Sequence, residues 1–93
     1  MFKHNPRITC SDGFNISVQC HDGSYCDRDR YGKPVKVECG FPSTRPKTVE
    51  LRNYAELCGT DDYTETVYGY VPVEIVQAEL DAHGGIVDGE MPR

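Results

Sequence analysis

Two stretches of strict alternation constrain this chain more than any other feature. In one, Phe14, Ile16, Val18 and Cys20 fall on one side, with Asn15, Ser17 and Gln19 on the other. In the second, Val35, Val37, Cys39 and Phe41 point one way while Lys36 and Glu38 point the other. A period of two puts successive side chains on opposite faces of extended backbone, so each stretch predicts a half-buried strand. Residues 21–34 between them are rich in Asp, Gly and Arg, with Tyr25, Cys26 and Tyr31 as the only anchors. That composition predicts a long loop or an irregular hairpin connection. Pro42 removes a ladder donor and, with Pro46, closes the second strand in an exposed turn.

The period then changes. Leu51, Tyr54, Ala55 and Cys58 fall at i, i+3, i+4 and i+7 within residues 48–58, and Gly59 follows where a helix-ending glycine belongs. Residues 66–71 alternate again, with Val67, Gly69 and Val71 on one face and Tyr68 and Tyr70 on the other. Both faces are apolar or aromatic, which predicts a central strand. Pro72 suits the first turn of a last helix that turns Val73, Val76 and Leu80 inward, with Ile75 and Ala78 beside them, and stops at His83-Gly84-Gly85. Residues 86–93 read as a frayed tail anchored only by Ile86 and Val87. The expected fold is a single α+β domain over residues 1–93: a small antiparallel or mixed sheet of about three strands, with a short helix and a C-terminal helix packed on one face. So short a chain builds one modest core, and ordering it costs roughly 1.5 kcal/mol per residue. A homodimer formed through the tyrosine-bearing sheet face would offset part of that cost.

Five cysteines, Cys10, Cys20, Cys26, Cys39 and Cys58, make an odd count, and the start at Met1-Phe2-Lys3-His4 lacks the apolar stretch of a signal peptide. Reduced thiols and a cytoplasmic setting are the expectation. No Cys-x-x-Cys pair is present, and adjacent Cys20 and His21 would point to opposite faces of a strand. Cys20, Cys26 and Cys39 therefore read as small core residues rather than zinc ligands. The dyads Cys26 with His21 and Cys39 with His83 lack any spacing that singles out a nucleophile and its base. Gly84-Gly85 follows a helix instead of preceding one, so no phosphate-cradling loop is expected. No catalytic residue, metal or cofactor is anticipated. The alternative is a small zinc- or cysteine-dependent enzyme built on Cys20, His21, Cys26 and Cys39.

Charge is divided unevenly along the chain. Residues 1–47 hold eight Lys/Arg against five Asp/Glu, whereas residues 48–93 hold two against ten. A negative surface repels phosphate and steers toward a basic protein, which argues against direct nucleic-acid binding. Asp61, Asp62, Glu65, Glu79 and Asp81 are the candidate contact residues, with Tyr68 and Tyr70 as aromatic anchors because aromatics are enriched at binding hot spots. The same Asp61-Asp62-Glu65 cluster lacks the ligand count and glycine placement of an EF-hand, and its plain reading is a solvated turn. The basic segment from Arg28 to Lys47 is a candidate for a separate contact surface.

The combination of Gly13-Phe14, Val18-Gln19, Tyr25-Cys26, Val37-Glu38, Gly40-Phe41-Pro42-Ser43, Tyr54-Ala55-Glu56, residues 66–74 and His83-Gly84-Gly85 resembles small proteins encoded by bacteriophages and prophages. That family carries over no catalytic residues. The resemblance implies a setting: short, acidic phage proteins include many that block a host system by binding it, the anti-CRISPR proteins among them. The expected function is thus a non-enzymatic inhibitor acting in the cytoplasm of the host bacterial cell. Its acidic surface would mimic nucleic acid and occupy a basic channel of a defence complex such as a CRISPR effector. A phage structural or assembly protein is the blander alternative.

Overall fold

The computed structural model describes residues 4–93, so Met1, Phe2 and Lys3, which open the reading of the chain's start, lie outside the described residues. Both alternating stretches form strands: β2 is Asn15–Gln19 and β4 is Pro34–Gly40, preceded by β1 (Ile8–Cys10) and β3 (Asp27–Arg28). They are followed by α1 (Val49–Arg52), β5 (Val67–Pro72), α2 (Val73–Ala82) and β6 (Ile86–Asp88). Among the described residues the fold is α+β with two helices, but the sheet has six strands where about three were expected, and every pairing is antiparallel.

Strand β4 organises the sheet. Lys36 pairs with Asp27 and also with Pro72, and Cys39 pairs with Val18 and also with Tyr68. A strand residue has one neighbour per edge, so β2 and β3 lie end to end along one edge of β4, and β5 lines the other. Residues 20–26 are an excursion out of what is otherwise one continued strand. A disulfide between Cys20 and Cys26 clips the base of that arch, and the Arg28 guanidinium donates to the Cys20 carbonyl at 2.6 Å. The expectation of fully reduced thiols is corrected here: an odd count forbids complete pairing but permits one bridge. That bridge also takes two of the four residues on which a zinc or cysteine enzyme would rest.

The core lies on the inner face of the sheet. Ile8, Ile16, Val18, Val37, Cys39, Tyr68 and Val71 from the strands meet Val76 and Leu80 of α2 and Leu51 of α1. Three further readings are corrected. The helix over residues 48–58 is a single turn, because after Asn53 the chain leaves it to pair with β5: Ala55 bridges Tyr68, and the Glu56 amide donates to the Val67 carbonyl at 2.9 Å. Gly59 then sits in a turn at φ +75° and caps nothing. Strand β5 pairs with β4 and not with a second long strand, so it is not central. Its double-sided apolar pattern comes from a bulge: Val37 faces Val71 and Cys39 faces Tyr68, leaving Gly69 and Tyr70 together opposite Glu38. The alternation therefore slips, Tyr68 and Val71 turn inward, and Tyr70 turns out.

The tail is the last correction. Residues 86–88 form β6, with Ile86 opposite Cys10 and Asp88 opposite Thr9. Beyond it, the Asn5 side-chain amide holds the Glu90 carbonyl at 2.9 Å, and Met91 packs against the core.

Candidate functional site

The most chemically loaded cluster joins three segments distant in sequence. His83, the residue that ends α2, has Nδ1 2.7 Å from Asp12 Oδ2 and Nε2 2.7 Å from Glu79 Oε2. The ring lies flat against Phe14, with centroids 3.8 Å apart and planes 6° from parallel. Glu79 is 1% exposed, yet its carboxylate is saturated: it accepts from the Lys47 amide at 2.8 Å, the Thr48 amide at 2.9 Å and the Thr48 hydroxyl at 2.8 Å, besides the imidazole. Burial alone would raise the Glu79 carboxyl, but those bonds outweigh it and hold the group below the ordinary carboxylate range. Asp12 is likewise held low, first by the Phe14 amide and then by His83. Lys47 closes the ring of charges, with its ammonium 3.7 Å from Asp12 and 3.1 Å from the Ala82 carbonyl.

Asp12, Phe14, Lys47 and His83 line an open cleft of about 310 Å³ with Ser43 and Thr44. For acid–base work an imidazole needs a nitrogen turned toward a substrate. Here both nitrogens are engaged by carboxylates, so the cluster is a clasp that ties the end of α2 to the β1–β2 turn and the start of α1. Sequence reasoning took His83 as a helix-end residue and Glu79 as a contact carboxylate. The i, i+4 spacing of Glu79 and His83 was the one local signal of their pairing. Asp12 carried none.

The predicted contact residues divide accordingly. Glu79 is consumed by the clasp. Tyr68 is fully buried, and its hydroxyl donates to the Tyr63 carbonyl at 2.5 Å. Asp61, Asp62 and Glu65 are exposed in the turn between α1 and β5. There Asp62 Oδ1 accepts from the Thr64 hydroxyl at 2.6 Å and its amide at 2.9 Å, bonds that lower the Asp62 carboxyl, the hydroxyl's first. Arg45 lies over the Tyr63 ring of the same turn, 5.3 Å from its centroid. Asp81 is exposed on α2, beside a groove of about 500 Å³ that Glu74, Gln77, Lys33 and Met91 also line. Among the described residues, the acidic partners of ion pairs are Asp12, Glu79 and Glu90, so the turn carboxylates and Asp81 form no ion pair, although Arg45 and Lys33 lie on the same surfaces. The basic segment uses part of its charge internally: Arg28 and Lys47 each bind backbone carbonyls.

Cys39 is buried, and loss of solvation, aided by Glu38, pushes its thiol far up; the Cys10 thiol is also raised, by burial first. Burial thus favours the protonated form of both thiols. Among the described residues no group of three or more His, Cys, Asp or Glu side chains is arranged to hold a metal ion, and no helix is long and apolar enough to cross a membrane. No protein-family model, curated protein or solved structure matches the chain.

Proposed function

We propose that this chain is a non-enzymatic binding protein of the phage-inhibitor type, which docks a carboxylate-bearing surface on a basic channel of a host defence complex and competes there with nucleic acid. The observation that carries the reading is the state of Asp61, Asp62 and Glu65: three exposed carboxylates in five residues, none ion-paired among the described residues. Exposed like charges held close together repel one another in the free molecule, and a positive partner surface offsets that repulsion. The contact set is Asp61, Asp62, Glu65, Asp81 and Tyr70; burial removes Glu79 and Tyr68 from it. The proposed setting is the host cytoplasm, and a CRISPR effector is the partner class that the phage resemblance suggests.

The test is affinity capture from bacterial lysate with wild type and the triple variant Asp61→Lys, Asp62→Lys, Glu65→Lys. Wild type is expected to retain a nucleic-acid-binding complex that elutes as ionic strength rises and that added DNA or RNA displaces. The variant is expected to fold and lose it. Equal capture by both chains, or capture of virion components instead, would overturn the reading, the latter in favour of an assembly role.

A further inference from the structure

Strand β5 carries an aromatic residue where the backbone favours glycine. At the bulge opposite Glu38, Tyr70 has φ +54°. A bulky side chain in that region carries backbone strain that glycine would avoid. Burial does not offset the cost, since Tyr70 is 47% exposed. A bulge re-aims a side chain, and this one aims the ring at the arch clipped by Cys20 and Cys26. The Tyr70 amide donates to the Tyr25 carbonyl at 2.9 Å, and the two rings stack with centroids 5.9 Å apart and planes at 29°. Tyr25 is 50% exposed. Gly69 lets it approach: a Cβ on Gly69 would stand 3.3 Å from Tyr25 Cβ and 3.6 Å from Glu56 Oε1.

Two carboxylates complete the surface. Glu38, turned away from the core, accepts the Tyr25 amide at 3.2 Å through Oε2, and Glu56 reaches the bulge from the other side. Lys36 is the nearest cation along β4, yet among the described residues it pairs with neither. Half-exposed aromatic faces next to carboxylates match a planar cation that stacks on rings and offers forked donors to oxygen, which is the guanidinium group. We infer that Tyr25, Tyr70, Glu38 and Glu56 form a binding site for an arginine side chain presented by a basic partner protein. The inference rests on the reading of the chain as a binding protein and names the residue its partner must offer.

The probe is the heptapeptide Gly-Arg-Gly-Arg-Gly-Arg-Gly, titrated into the oxidised, isotope-labelled chain and followed by amide chemical shifts, alongside counterparts with citrulline and with lysine. Saturable shifts are expected at Tyr25, Glu38, Gly69 and Tyr70. The citrulline peptide, isosteric but neutral, is expected to bind at least tenfold more weakly, and the lysine peptide severalfold more weakly. Tyr70→Gly, which relieves the backbone, and Glu38→Gln with Glu56→Gln, which keeps the acceptor for the Tyr25 amide, should each lower affinity at least tenfold in a cooperatively folded chain. Citrulline binding as tight as arginine, shifts centred on residues 61–65, or undiminished affinity in either variant would overturn the inference. The triple-lysine variant of the turn separates the two readings. Peptide binding that survives there while lysate capture is lost supports both, and failed peptide binding beside intact capture sinks this inference alone.

Discussion

Replacing Glu79 by alanine removes the acceptor of four hydrogen bonds at once: from the Lys47 and Thr48 amides, the Thr48 hydroxyl and the His83 imidazole. The hydroxyl can turn to another partner, so three donors are orphaned. A buried donor left without an acceptor costs roughly 1–3 kcal/mol. Because Lys47 and Asp12 reach the surface, water relieves part of this, and the net loss is about 3–5 kcal/mol, the range found when one member of a buried charged pair is removed. Glutamine keeps the shape and one carbonyl oxygen. With that oxygen at the Lys47 and His83 side, its amide group faces the Thr48 amide donor to donor, and the cost is about 1–2 kcal/mol. Urea unfolding at neutral pH reads both through the midpoint, against a total stability on the order of 5–10 kcal/mol for so small a domain. A loss under 1 kcal/mol for Glu79→Ala, or equal losses for the two variants, would refute the clasp. The acid limb gives an independent sign. Glu79 and Asp12 are held below their ordinary values of 4.5 and 3.8. A carboxyl lowered by folding contributes stability that is complete above its unfolded value and is lost as pH falls through its folded one. Wild type therefore loses stability below about pH 4.5, and Glu79→Gln, having nothing left to protonate at that position, should show a shallower acid limb; parallel limbs would count against it.

Two further outcomes concern the cysteines. Of the thiols outside the disulfide, Cys58 is exposed while Cys10 and Cys39 are buried, so an aromatic disulfide reagent should titrate one thiol in the native protein and three in denaturant; fast native reaction of a second would contradict the burial. Reducing Cys20–Cys26 should cost about 2 kcal/mol through loop closure and free the arch from β5. Hydrogen exchange at the Tyr70 amide, whose acceptor is the Tyr25 carbonyl, should then accelerate, and unchanged exchange would mean that the arch is held by something other than its disulfide.

The elements legible in the sequence were those that keep one period against one core. Strand β2 alternates over five residues and α2 runs ten, long enough for Val76 and Leu80 to declare a face; along the β4 stretch the expected face holds at Val37 and Cys39, whereas Val35 and Phe41 are exposed. Strands β1, β3 and β6 have three, two and three residues, too few for any period to stand out. Where the pattern misled, a tertiary pairing overrode it. Leu51, Tyr54 and Ala55 have helical spacing, but Ala55 is drawn off to Tyr68. Tyr68 and Tyr70 look equivalent at a spacing of two, and one bulge sends the first into the core and the second to the surface. The acidic turn was readable because no large aliphatic residue pulls residues 59–65 inward. The clasp was not, because its third member, Asp12, lies 71 residues from His83 and nothing local marks it.

Carboxylates in this molecule thus fall into two groups with different structural roles. Asp12 and Glu79 are folded into a network in which each oxygen meets a donor, and neutralising either removes bonds the fold depends on. Asp61, Asp62 and Glu65 stand in solvent and form no ion pair among the described residues, and the bonds that Asp62 accepts from Thr64 need only a side-chain oxygen. Neutralising the second group as Asp61→Asn, Asp62→Asn and Glu65→Gln should therefore leave stability within about 0.5 kcal/mol of wild type. The Asp62→Asn change keeps a side-chain oxygen for Thr64, so the turn itself survives. Thermal unfolding at low and moderate salt distinguishes the cases. A clear drop in midpoint would assign these side chains to the fold, like Glu79, and would leave the surface without the unpaired charge that a basic partner is proposed to meet.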